Sequence, residues 1–94
     1  MAFDNIHNYY ENLVLQRLND MRQADFIDDD PNFLEDVACV ALNQLPARYV
    51  RYDIDMVYYM TIKEREQIEY EVHKAVTAAV EYVTQHRNDR ANSA

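Results

Sequence analysis

The chain has no glycine among its 94 residues, and this absence limits the possible fold more than any other feature. Glycine normally supplies the positive φ angles of tight hairpin turns and of left-handed helix caps. It also lets the backbone approach phosphate in P-loop and Rossmann proteins. We therefore exclude both of these nucleotide-binding folds, and hairpins and helix caps lose their usual turn residue.

The formal net charge of −8 makes the surface acidic. Such a surface repels the phosphates of DNA, RNA and anionic membranes, so we expect none of these as a direct partner. A single cysteine, Cys39, excludes an intrachain disulfide and suggests a reducing compartment. Because no basic and apolar leader and no long apolar run is present, we expect a cytoplasmic protein without a membrane span.

Apolar residues recur every three or four positions in three segments, which predicts helices over about 5–22, 31–45 and 61–86. The predicted fold class is therefore mainly α, a small domain of three helices. We assign residues 1–86 to this domain and expect the polar C-terminal tail, residues 87–94, to fray.

Local capping signals mark where these helices begin. Asp4 is placed to cap the first helix, and Asp30 before Pro31 marks the start of the second. Thr61 and Glu64 form a capping box at the start of the last helix.

The segment at about 49–58 has a different pattern, because apolar residues alternate with charged ones from Val50 onward. A period of two predicts an extended segment, with a short helical turn near 55–60 as the alternative. Since the chain offers no second segment of this kind, we expect pairing with its own copy across a twofold axis. A small domain also gains stability from such a partner. An irregular crossing with a solvated backbone is the alternative to a dimer.

One stripe of the second helix points away from the core of that helix. At 100° per residue, Asp36, Val40 and Asn43 share this stripe, which is directed toward the turn that carries Arg48 and Tyr49. We predict that Asp36 and Asn43 contact a ligand there. A solvated helix face is the simpler alternative.

Arg48 and Arg51 lie three residues apart, with Tyr49 between them and Asp53 after them. Guanidinium groups bind phosphate with two hydrogen bonds, and a tyrosine ring stacks on a base. An ionised carboxylate such as that of Asp53 or Asp36 accepts from the N1 and N2 donors of guanine. These residue types predict a nucleotide-binding site. The simpler alternative pairs Arg51 with Asp53 and places Tyr49 in the core.

No residue spacing is typical of a metal site or of a catalytic set. His7, His73 and His86 lie on separate elements or too far apart, and Cys39 has no second thiol nearby in the sequence. Acidic residues 28–30 lack the ligand pattern of an EF-hand. We expect no metal, no cofactor and no enzymatic activity.

The stretch EDVACVALNQLPARYV, residues 35–50, resembles the signature of the late competence development protein ComFB family. The shared pattern is an acid–Val pair, then Ala-Leu-Asn, Leu-Pro and a following Tyr. The opening NIHNYYENLVLQRL and the start of the last helix are similar too, so the resemblance covers nearly the whole chain.

This resemblance implies a small helical homodimer that binds cyclic di-GMP, or in some lineages cyclic di-AMP. Such a receptor passes its signal to a regulatory protein in competence, motility or related processes. The matching site positions are Asp36, Asn43 and Tyr49, with Arg48 and Arg51 supplying positive charge. The alternative function is a ligand-free acidic helical dimer that acts as a protein interaction adaptor.

Overall fold

Helices form most of this computed structural model, which describes residues 5–93 and, for side chains, residues 5–87. The predicted mainly α class is confirmed. The part of the chain described here contains four helices and two short strands: β1 (His7–Asn8), α1 (Tyr9–Gln23), α2 (Pro31–Gln44), β2 (Tyr49–Val50), α3 (Asp53–Tyr59) and α4 (Ile62–Ser93).

The core lies between α1, α2 and α4, as the helical spacing of their apolar residues predicts. Each of these helices buries side chains at intervals of three or four, and Val14, Val37 and Val76 are fully buried. The buried set is Tyr10, Val14, Leu18, Phe33, Val37, Ala41, Leu45, Val72, Ala75, Val76, Ala79 and Val83. Within the described ranges, no helix has the length and apolarity needed to cross a membrane.

Two of the three predicted helix starts are confirmed. The Asp30 side chain accepts from the backbone N–H of Asn32 at 3.0 Å, and the Thr61 hydroxyl accepts from the Glu64 N–H at 3.1 Å. The predicted start near residue 5 is wrong, because Asn8 caps α1 and the preceding residues form β1. Asp4, the predicted cap, lies outside the described residues.

The end of α1 shows how a chain without glycine closes a helix. Asp25 has φ 61°, in the left-handed region. The N–H of Phe26 donates to the Met21 carbonyl at 3.0 Å, and the N–H of Asp25 donates to the Arg22 carbonyl at 3.1 Å. These are the two bonds of a Schellman motif, in which Asp25 occupies the position usually held by glycine. A short polar side chain tolerates this conformation better than most others do.

The acidic connection between α1 and α2 is held by arginines on both sides. Arg22 pairs with Asp29 at 3.1 Å, and Arg87 pairs with Asp30 at 3.2 Å and with Asp28 at 3.6 Å. These pairs are mostly solvent-accessible, so their main effect is to orient the connection against α4 rather than to stabilise the fold strongly.

The predicted extended segment at 49–58 is correct at β2 but wrong from Asp53 onward, where α3 begins. Asp53 and Asp55 lie in the first turn of α3, where negative charge interacts favourably with the helix dipole. Ile54, Val57 and Tyr58 have the three-and-four spacing of one helix face. The helical alternative near 55–60 was the better of the two.

The missing partner of the extended segment is supplied by the same chain. β1 pairs antiparallel with β2, with His7 opposite Val50 and Asn8 opposite Tyr49. The expectation that no second segment is available was therefore wrong, and it no longer supports a strand shared between two copies. The dimer itself stays a prediction.

The helix predicted to end near residue 86 continues to Ser93. The side chains of 88–94 lie outside the described part, so fraying of that tail also stays a prediction.

Candidate functional site

The two arginines and the tyrosine predicted at the site, Arg48, Arg51 and Tyr49, lie on the α2–α3 linker, residues 45–52, which β1 holds in place. The Asn8 Oδ1 atom accepts from two backbone N–H groups, that of Tyr10 at 3.2 Å and that of Arg48 at 3.1 Å. The Tyr9 N–H donates to the Arg48 carbonyl at 2.7 Å. The backbone of Arg48 is therefore fixed on both its donor and its acceptor side.

A second set of contacts holds the far end of the linker, where α3 begins. His7 Nε2 lies 2.6 Å from Asp53 Oδ1, and the Asn12 side chain donates to Asp53 Oδ2 at 3.1 Å. The hydrogen bond to Asp53 raises the pKa of His7 above its ordinary value, and the same bond lowers the pKa of Asp53. The carboxylate of Asp53 is thus used on both oxygens to join α3 to β1 and α1.

The simpler alternative, in which Arg51 pairs with Asp53 and Tyr49 lies in the core, is not what the structure shows. Asp53 pairs with His7, and no carboxylate of residues 5–87 forms an ion pair with Arg51 or Arg48. The Arg51 guanidinium instead lies over the Tyr52 ring, 5.1 Å from its centroid. Tyr49 is 70% exposed and is not a core residue. The linker therefore presents two guanidinium groups and two phenol rings to solvent.

A cavity of about 470 Å³ lies where the start of α1, the linker, α3 and α4 meet. Tyr59 forms part of its wall. The charged residues that line this cavity are Arg48, Asp55, Glu64 and Glu71. One guanidinium close to three carboxylates, beside an aromatic ring, combines hydrogen-bond donors with acceptors in a space large enough for a nucleobase.

Asp36 and Asn43 are both exposed on α2, as the stripe predicts, but Asp36 is not brought to the linker. It lines a separate cavity of about 240 Å³ with Cys39, Tyr82 and His86, toward the C-terminal part of α4. Asn43 lies in the last turn of α2, seven residues or about 10 Å along the helix axis from Asp36. Within this chain, Asp36 and Arg48 therefore belong to different cavities.

The family described as late competence development protein ComFB matches residues 7–87. The chain belongs to the ComFB family. No curated protein and no solved structure matches the chain. The ComFB match begins at His7 and therefore includes β1, the segment that anchors the linker.

The ComFB-like signature at residues 35–50 divides into two sets when it is placed on the structure. Val37, Ala41 and Leu45 point into the core and are buried. Asp36 and Tyr49, like Asn43, are exposed and do not stabilise the core. The exposed positions of the ComFB signature are therefore the ones available for binding.

The sequence analysis did not identify three residues that position the α2–α3 linker: His7, Asn8 and Asn12. A local signal existed for Asn8, since Asn8 and Glu11 have the spacing of a helix N-cap followed three residues later by an acid. No local signal exists for the contact between His7 and Asp53, which are 46 residues apart. Among residues 5–87, no group of three or more His, Cys, Asp or Glu side chains is arranged to hold a metal ion.

Proposed function

We propose that this protein is a receptor for a cyclic dinucleotide, cyclic di-GMP or cyclic di-AMP, without enzymatic activity of its own. It acts as a homodimer in the cytoplasm and relays the signal to a regulatory protein. Membership of the ComFB family suggests a competence-related role, and the receptor function is our proposal for the molecular basis of that role.

The observation that carries the proposal is the pair of guanidinium groups on the linker. Arg48 and Arg51 have no carboxylate partner in the described part of an otherwise acidic chain. Both guanidinium groups are therefore available to form two-point hydrogen bonds with the two phosphates of the ligand. Because β1 holds the linker backbone, little conformational freedom is lost when the phosphates bind.

The aromatic rings beside the arginines provide the second part of the site. Tyr49 and Tyr52 are exposed on the same linker, and stacking on a tyrosine contributes roughly 1–3 kcal/mol per base. Three carboxylates line the cavity that Arg48 shares with α3 and α4. These groups accept from the N1 and N2 donors of guanine, whereas adenine has an acceptor at N1. We expect cyclic di-GMP to bind more tightly than cyclic di-AMP.

Twofold symmetry links the ligand to the homodimer. A cyclic dinucleotide has two phosphates and two bases, and a twofold dimer presents the same side chains from each copy. Arg48 and Arg51 then supply four positive charges against two negative ones, which is enough at short range to overcome the acidic field of the whole chain. Asp53 takes a positioning role here, because its carboxylate is held by His7 and Asn12.

Isothermal titration calorimetry with both cyclic dinucleotides tests the proposal. We expect micromolar or tighter binding by the wild type and at least a tenfold loss in Arg48→Ala and in Arg51→Ala, since each removes a charged hydrogen bond to phosphate. Arg65→Ala is the matched control, because Arg65 is exposed and pairs with Glu69 on α4. Its affinity should equal that of the wild type.

Two results would contradict the proposed receptor function. One is the absence of heat with either ligand while far-ultraviolet circular dichroism shows folded protein. The other is an equal loss of affinity in Arg65→Ala, which would indicate a nonspecific charge effect. The first of these results would favour the ligand-free adaptor instead.

A further inference from the structure

Helix α3 buries none of its side chains, although its sequence is largely apolar. Ile54, Val57 and Tyr58 are 71%, 55% and 80% exposed and lie on one face, because they are spaced by three and four residues. Tyr59 packs edge-on against Tyr58, with ring centroids 5.3 Å apart. By contrast, α1, α2 and α4 each place their apolar stripe in the core.

Further exposed apolar residues flank α3 on both sides in the sequence. Seven large apolar side chains between residues 49 and 62 are exposed, against five in the rest of the described chain. Tyr59 lines the cavity beside Arg48, on the other side of α3. At these exposures, the other six side chains present on the order of 800 Å², which matches the area that each partner contributes to a stable protein interface. A monomer seldom exposes so large an apolar patch. We call this set of exposed side chains the α3 patch: Tyr49, Tyr52, Ile54, Val57, Tyr58 and Ile62.

The charge around the α3 patch indicates what covers it. The rest of the chain carries fourteen acidic residues against five basic ones, so two copies that meet elsewhere bring like charges together. Residues 48–65 are close to neutral, because they contain four basic and three acidic residues: Arg48, Arg51, Lys63 and Arg65 against Asp53, Asp55 and Glu64. A surface that carries both signs is self-complementary across a twofold axis.

We infer that two copies of this chain associate through the α3 patch, with α3 of one copy packed against α3 of the other. This inference deepens the homodimer of the proposed function by naming its surface. It also places the linkers of both copies, with Arg48 and Arg51, next to the interface. It does not require ligand binding, and the test contains no ligand, so its failure and that of the receptor are separate results.

Sedimentation equilibrium or light scattering over the micromolar range tests the interface. We expect a wild-type dimer, and at least a tenfold weaker dimer in Val57→Asp, because truncating or charging a central apolar residue removes a large share of the binding energy. Leu15→Asp is the matched control, since Leu15 on α1 is 57% exposed and lies outside the patch. It should dimerise like the wild type.

A second pair of variants avoids placing a charge within α3. Tyr58→Ala should weaken the dimer while retaining helix content, and Phe26→Ala is its control because Phe26 is 78% exposed in the connection after α1. A wild-type monomer at all concentrations would overturn the inference. It would equally be overturned if both patch variants dimerised fully, or if the controls dissociated to the same extent.

Discussion

Replacing Asn8 by alanine tests whether one side-chain oxygen holds both the first helix and the candidate site. In the native protein Asn8 Oδ1 accepts from the N–H groups of Tyr10 and Arg48. The first bond caps α1, and the second fixes the linker on which the arginines lie. Asn8→Ala leaves both N–H groups without this acceptor.

The expected cost is about 2 kcal/mol in the free energy of unfolding. Loss of a helix N-cap costs about 1 kcal/mol, and loss of a net hydrogen bond costs about 0.5–1.5 kcal/mol. The hydrogen bond to the Arg48 N–H is exposed, so water partly replaces it in the variant. Its contribution therefore lies toward the lower end of the range for a hydrogen bond. For a domain of this size, 2 kcal/mol corresponds to a fall in melting temperature of about 8–16 °C.

Urea unfolding followed by circular dichroism measures this cost, with two matched variants. Asn8→Asp keeps an acceptor oxygen and should remain within about 0.5 kcal/mol of the wild type. Asn19→Ala changes an exposed asparagine whose side-chain oxygen accepts from the Arg22 side chain rather than from a backbone N–H, and it should have a similarly small effect. A stable Asn8→Ala, or an Asn8→Asp as unstable as Asn8→Ala, would refute the role of this oxygen.

Three further predictions concern stability. The raised pKa of His7 means that its protonated form stabilises the fold below the unfolded pKa of 6.5, and that this contribution is lost as pH rises through the folded pKa. The difference in unfolding free energy between wild type and His7→Gln should therefore be larger at about pH 5.5 than at about pH 9; an equal difference at both would count against the ion pair with Asp53. Asp25→Gly should stabilise the protein by about 0.5–1 kcal/mol in thermal unfolding, because φ 61° carries no steric cost for glycine, and no gain would argue against the left-handed cap. Val76→Ala should cost about 2 kcal/mol in urea unfolding through a cavity in the core, whereas the exposed Leu15→Ala should change stability little.

The candidate site was only partly predictable. Arg48, Tyr49 and Arg51 were identified from their types and spacing, and they do share one exposed linker. The expected convergence with Asp36 does not occur within this chain, because Asp36 faces the far part of α4. The direction of a helix stripe follows from the sequence, but the neighbour that it meets depends on how the helices cross.

The sequence alone determined the features that depend on near neighbours in the chain. Helical spacing of apolar residues placed the core on α1, α2 and α4, and the caps at Asp30 and Thr61 formed because donor and acceptor lie two or three residues apart. Such contacts form with little loss of chain entropy, so local patterns are sufficient to predict them.

Tertiary structure decided the features that join distant segments. The pairing of β1 with β2, and the contact of His7 with Asp53 across 46 residues, fix the linker and the start of α3. Neither two-residue strand has a pattern long enough to be recognised, because the hydrogen bonds of each are satisfied only by the other. These contacts exist because packing of the three long helices places the two segments side by side, and that packing is a property of the whole chain.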